Sequence, residues 1–176
     1  MPQTLPGLPP LLGLALRPLP LAPLSLVLGR VTRHLARRHP VILRRLGAHG
    51  GCRFLIDATD VPAVLLLVPE RLALSAHRRQ APPRHDARIT GRLSAFLAMM
   101  HGTEDGDALF FSRDLMVEGD TAAVLALRNA LDDAELDLGR DLAALAGPLG
   151  PGIGRLVQRA ERLTGLALRR AEGPGA

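Results

Sequence analysis

The chain has 176 residues, 47% of them hydrophobic and 2% aromatic, with a formal net charge of +5, enough for one domain with a real core and helical extensions. Its single cysteine, Cys52, excludes an intramolecular disulfide and a thiolate metal cluster within one chain, which fits a reducing cytosol. Every non-histidine basic side chain is Arg, in an Ala/Arg/Leu/Gly/Pro bias that a GC-rich coding sequence would produce, so the pI of about 11.2 is discounted as a sign of a polyanionic partner.

Residues 1–23 are rich in Pro and Leu and are expected to be irregular or only briefly helical. They lack a charged leader, and Arg17, Pro18, Pro20 and Pro23 interrupt the apolar run, so no secretory signal is expected. No uninterrupted run approaches the ~20 apolar residues of a spanning helix. From Leu24 the period is helical: Leu24, Val27, Leu28, Val31 and Leu35 share one face, against Arg30, Arg33 and Arg37. Pro40 bounds this helix, a short one follows over Val41–Leu46, and Ala48–Gly51 is a turn. Residues 1–51 hold seven Arg and no acid, a local charge of +7 that would suit an anionic surface.

Strands come next. Arg53–Ala58 alternates with Phe54, Ile56 and Ala58 on one face. Ala63–Val68 is a continuous apolar run of strand length. Glu70 and Arg71 make a turn into Leu72–Arg78, with Leu72, Leu74 and Ala76 inward. Pro82 and Pro83 mark a loop, and Ala87 and Ile89 a fourth strand within 86–90. Leu93, Phe96, Leu97 and Met100 then define a helix that Gly102 ends. An acidic loop over 103–108 leads to a fifth strand over 109–118, stopping at Gly119. Asp120 is placed as N-cap of a helix over 121–132. Leu138, Leu142, Leu145 and Leu149 form another stripe. A last helix sets Ile153, Leu156, Val157, Ala160 and Leu163 against Arg155, Arg159 and Arg162. The order of elements gives an α+β class: a sheet covered by helices, with amphipathic helices at both ends. The division expected is 1–50 for the Pro/Leu-rich segment and basic helices, 51–136 for the sheet domain, and 137–176 for a helical extension.

Chemistry is sparse. The six histidines have no metal-ligand spacing among themselves, and Glu104–Asp107 lacks the ligand series and terminal Glu of a calcium loop. No metal or cofactor is expected. Ser75 and His77 would share a strand face, but Ser75 sits in no nucleophile turn and no Gly-rich oxyanion loop accompanies it. There is no phosphate loop or dinucleotide fingerprint. Nucleic-acid binding is disfavoured because base-stacking aromatics are scarce and the Arg residues alternate with Leu on amphipathic helices. Such helices suit a lipid interface, and equally suit packing on their own domain.

The sharpest pattern is Leu109-Phe110-Phe111-Ser112-Arg113-Asp114-Leu115-Met116-Val117-Glu118-Gly119-Asp120-Thr121, followed by Asn129, Leu131 and Asp132. It resembles the L-F-F-x-R-x-L-x-x-E-G-D-T run and N-x-L-D of ubiquinone-biosynthesis accessory factors of the UbiT type. The lead-in Asp105-Gly106-Asp107-Ala108-Leu109-Phe110-Phe111 resembles the D-P-D-T-L-F-F of the same family, with Gly106 and Ala108 where proline and threonine are usual, and Asp114 stands where a second Arg is common. The resemblance implies a sterol-carrier-protein (SCP2-like) fold with a five-stranded mixed sheet, no catalytic residues, and a role in oxygen-independent ubiquinone synthesis. It further implies an isoprenoid quinone precursor or a phospholipid as ligand, hydroxylases of the UbiU–UbiV type as partners, and a bacterial cytoplasmic location peripheral to the inner membrane. The candidate lining of a lipid tunnel is Phe54, Ile56, Leu65, Leu67, Leu74, Ile89, Leu93, Phe96, Leu97, Met100, Phe110, Leu115, Val117 and Leu127. Each also suits a filled core. A general lipid-transfer module unrelated to quinones, and a hydrolase built on Ser75 and His77, stay as alternatives.

Overall fold

The computed structural model describes residues 20–101, 114–134, 136, 138–145, 154–155 and 158–159. Among these, five helices and five strands follow one another as α1 (Leu21–Arg38), α2 (Val41–Leu46), β1 (Phe54–Ala58), β2 (Ala63–Val68), β3 (Ala73–Arg78), β4 (Ala87–Gly91), α3 (Leu93–His101), β5 (Leu115–Gly119), α4 (Thr121–Ala134) and α5 (Leu138–Leu145). Short 3-10 turns cover Gly47–Gly51 and Pro69–Arg71. The expectations for Gly102, for the loop 103–108, for 109–113 with Phe110, and for Leu149, Ile153, Leu156, Val157, Ala160, Arg162 and Leu163 lie outside the described residues.

The strands form one sheet in the order β3-β2-β1-β4-β5. β1–β2, β2–β3 and β4–β5 are antiparallel, and β1–β4 is parallel. The sheet is therefore mixed and the class α+β, as the order of elements predicts. The parallel pair arises because the chain leaves the β1–β2–β3 meander at an edge and returns beside β1, where the loop after β3 supplies the crossover.

Three local features differ from the sequence expectations. α1 begins at Leu21, after Pro20, and takes Pro23 into its first turn, where a missing N–H costs no intrahelical bond. Of its expected packing face, Leu24, Leu28, Val31 and Leu35 are half-buried, while Val27 is not. Ser25 accepts the Ala76 N–H at 2.9 Å, and buried Gly29 approaches the Leu74 carbonyl, so the helix lies along the open edge of β3. Small residues permit that approach, and Val27 turns outward at 59% exposure beside Leu26 at 74%. Leu72 is not the first inward residue of β3: it takes a left-handed conformation (φ 48°) closing the Pro69–Arg71 turn, and the strand starts at Ala73.

α4 begins as the Asp120 N-cap predicts, with the Ala123 N–H donating to Asp120 Oδ1 at 2.9 Å. Gly119 has φ +84°, and a Cβ there would lie 2.3 Å from the Asp86 carbonyl oxygen, so only glycine fits. α3 is capped from afar: the Leu93 N–H donates to Asp60 Oδ1 at 2.9 Å. α2 packs on α4 through Ile42 and Leu46, with an Arg45–Asp133 ion pair at the rim. α5 meets the end of α1 through Asp141, which is 5% exposed and lies 3.5 Å from Arg38 and 3.4 Å from His39.

Candidate functional site: one apolar face of the sheet

Alternation along each strand sends every second side chain to one face, and the pairing decides which rows line up. Leu74, Leu67 and Phe54 form one row, in register with Ala87. The next row runs Ala76, Leu65, Ile56, Ile89 and Val117. Leu115 follows beside Gly91, where no side chain fits, because a Cβ would lie 2.4 Å from the Asp114 carbonyl oxygen. All eight strand residues expected to line a lipid tunnel among the described ones thus share this face.

Helices cover the face unevenly. Val124 and Leu127 from α4, and Phe96 and Met99 from α3, join Phe54, Ile89 and Leu115 in one buried cluster. Leu93, Ile56, Leu67 and Val117 pack against that cluster but keep partial exposure. Leu65, Leu74 and Met100 are likewise half-buried. The face is therefore sealed over β4 and the adjoining end of β1. It stays partly open from Ile56 toward Leu65, Leu67 and Leu74, between the sheet centre and the edge that α1 occupies. Leu97 is 5% exposed yet stands outside the cluster that holds Phe96. α3 is buried almost all round, with Ala95, Ala98 and Met99 also covered, so its four-residue stripe understates its contacts.

The opposite face combines the buried apolar Leu55 and Val64 with polar side chains. Asp57, 2% exposed, pairs with Arg79 at 3.0 Å and with Arg88, and Arg79 also donates to the Ala58 and Val61 carbonyls at 2.8 and 2.7 Å. A buried carboxylate requires such partners, since unpaired it would lose its hydration for nothing. Ser75 Oγ and His77 Nε2 stand 2.8 Å apart on this face. β3 at Ser75 is a regular strand, not the sharp turn that presents an activated nucleophile.

At the margin, Arg53 grips Asp86 through its backbone N–H at 2.8 Å and its guanidinium at 3.0 and 3.2 Å. Those hydrogen bonds hold the Asp86 carboxyl below the usual carboxylate range and raise Arg53. Arg30, Arg33 and Arg37 are exposed on α1, on the same outward stripe as Leu26 and Val27. Arg155 and Arg159 are exposed on helical residues. No described helix is long and apolar enough to cross a membrane.

No curated protein matches the sequence. Among solved structures, the chain is similar to "UbiJ-SCP2 Ubiquinone synthesis protein", with a TM-score of 0.52 at 19% identity over 66% of this chain and 96% of that one. This likeness is one of fold. Sterol carrier protein 2 from Yarrowia lipolytica in its apo form gives 0.43 at 14% identity, covering 63% of this chain and 91% of that one. Sterol carrier protein-2 like-3 from Aedes aegypti gives 0.41 at 18%, covering 52% and 94%. The sequence pattern of the SCP-2 sterol transfer family matches residues 33–132, more than half the chain and a span running from within α1 almost to the end of α4, and the protein belongs to that family.

Proposed function

We propose that the protein is a non-catalytic lipid-binding accessory factor of ubiquinone synthesis, which holds a polyprenylated quinone precursor against the apolar sheet face. The observation that carries this reading is the partial exposure of Ile56. It sits at the middle of the central strand among apolar neighbours, where a filled core would cover it. An isoprenoid tail placed on Ile56, Leu65, Leu67 and Leu74 would complete the cover, and each CH₂ so buried contributes roughly 0.8 kcal/mol. Phe54, Ile89, Leu93, Phe96, Leu97, Met100, Leu115, Val117 and Leu127 form the wall behind it. The role in the oxygen-independent route, and hydroxylases of the UbiU–UbiV type as receivers, rest on the resemblance of the 105–132 segment.

The delivery surface in this reading is α1. Leu26 and Val27 project beside Arg30, Arg33 and Arg37, which pairs apolar anchors with cations on one exposed stripe, the composition of an interfacial helix on anionic lipid. Arg155, Arg159 and Arg162 would add to it from the C-terminal segment. The location is then the bacterial cytoplasm, at the inner-membrane surface.

Native mass spectrometry and solvent extraction of the mildly purified protein test the ligand. A quinone-like or prenyl species in stoichiometric amount is expected. Persistently lipid-free protein that also fails to take up ubiquinone precursors from vesicles would end the proposal. Phospholipid alone, with normal quinone levels in an anaerobically grown deletion strain, would favour a general lipid-transfer module instead.

A further inference from the structure

His49, Cys52 and Asp120 meet at the junction of the Gly47–Gly51 turn, the start of β1 and the N-terminus of α4. One ligand atom from each lies within 4.8 Å of the other two. We propose that this triad is a binding site for a single borderline-soft divalent cation of the zinc class, held by His49 Nδ1, Cys52 Sγ and Asp120 Oδ2, with a fourth position open to water. The inference is independent of the lipid reading.

The backbone brings the three together by separate means. In a 3-10 turn, side chains three residues apart eclipse one another. The Cys52 N–H donates to the His49 carbonyl at 3.0 Å, and that places the imidazole and thiol on one side. Asp120 is fixed from the other direction: its N–H donates to the Asp86 carbonyl at 3.0 Å, and Gly119 turns the chain into α4. Oδ1 of Asp120 caps the helix, which leaves Oδ2, 3.9 Å from His49 Nδ1.

The donor set is one nitrogen, one sulfur and one oxygen, which suits Zn²⁺ or Co²⁺ and not the all-oxygen cages of Mg²⁺ or Ca²⁺. Tetrahedral bonds of about 2.0–2.3 Å place ligand atoms roughly 3.4–3.7 Å apart, so atoms within 4.8 Å of one another must close by about 1.4 Å at most. All three are partly exposed and can do so by rotation. The helix N-terminus opposes a cation, but the Asp120 carboxylate reverses the local field. Binding displaces the Cys52 thiol proton to solvent.

Titration of the full-length apo-protein with Co²⁺ tests the site. One equivalent should bind with a thiolate-to-cobalt charge-transfer band that Zn²⁺ abolishes. Cys52→Ser should lose the band, while His49→Ala and Asp120→Asn, which keeps the capping oxygen, should weaken binding by about tenfold or more. Absence of the band, or zinc binding to Cys52→Ser as tight as to the unmodified chain, would overturn the assignment. A readout free of variants is alkylation of Cys52 by iodoacetamide: zinc should slow it, and an unchanged rate would count decisively against the site.

Discussion

Ile56 on β1 and Ile89 on β4 stand opposite one another in the parallel ladder, yet Ile89 is 1% exposed while Ile56 remains half-buried. The change from fully buried to half-buried apolar side chains on this face falls between these two residues. On the Ile89 side, α3 and α4 supply Phe96, Met99, Val124 and Leu127. On the Ile56 side the apolar rows continue to β3, where α1 takes the strand edge.

A charge placed on the half-buried part of this face should abolish lipid uptake without unfolding the protein. Leu65→Glu puts a carboxylate on a half-exposed position beside Ile56. Binding of a fluorescent fatty acid or prenyl probe should weaken at least about tenfold, because the ligand would have to desolvate the charge. Unaltered probe affinity in a folded Leu65→Glu variant would place the ligand elsewhere.

Asp57 should be indispensable to stability on the opposite face. Asp57→Ala removes the acceptor of Arg79 and Arg88 and leaves two guanidinium groups partly buried without it. A loss of about 3–5 kcal/mol in urea unfolding is expected. A loss below about 1 kcal/mol would mean that water replaces the carboxylate freely.

Gly119 and Asp120 should separate conformational from capping effects. Gly119→Ala meets the Asp86 carbonyl and a positive φ at once, so it should destabilise by more than about 1 kcal/mol. Asp120→Ala removes one cap, for about 1 kcal/mol, and Asp120→Asn should cost only a few tenths. Thermal unfolding of the three variants orders them, and an Asp120→Asn loss equal to that of Asp120→Ala would contradict the cap.

The Arg53–Asp86 pair should contribute to the acid limb of stability. The carboxyl titrates lower when folded than when unfolded, so its contribution is full above the unfolded pKa. It then disappears as the pH falls through the lower folded value. Tm measured between neutral pH and strong acid should fall less steeply for Asp86→Asn than for the natural chain. Both groups are largely exposed, and high salt should shrink the difference.

Local order was legible in the residues. Alternation placed β1, a continuous apolar run of strand length placed β2, the 3.6-residue period placed α3, and Asp120 after Gly119 announced the start of α4, because these signals depend only on backbone geometry and nearest neighbours. Which strand residues share one face could also be chosen by parity along each strand. Which of them keep partial exposure could not, since that depends on how far α3 and α4 reach across the sheet. The outward turn of Val27 on α1 was hidden for a similar reason. Hydrophobic spacing favoured Val27, but the β3 edge accepts Ser25 and Gly29, whose small side chains let a helix come close and offer a hydroxyl to an unpaired strand N–H. Histidine spacing likewise concealed the triad at His49, because its carboxylate arrives from the far side of the sheet domain.

The α+β class, the alternation of β1 and the family signature were readable from the residues alone, because periodicity and short-range chemistry set them. Which part of the apolar face keeps partial exposure, how Asp57 is neutralised and which side chains gather around Cys52 came from the tertiary arrangement. Those outcomes are sums over contacts between distant segments, and no local pattern in the chain carries them.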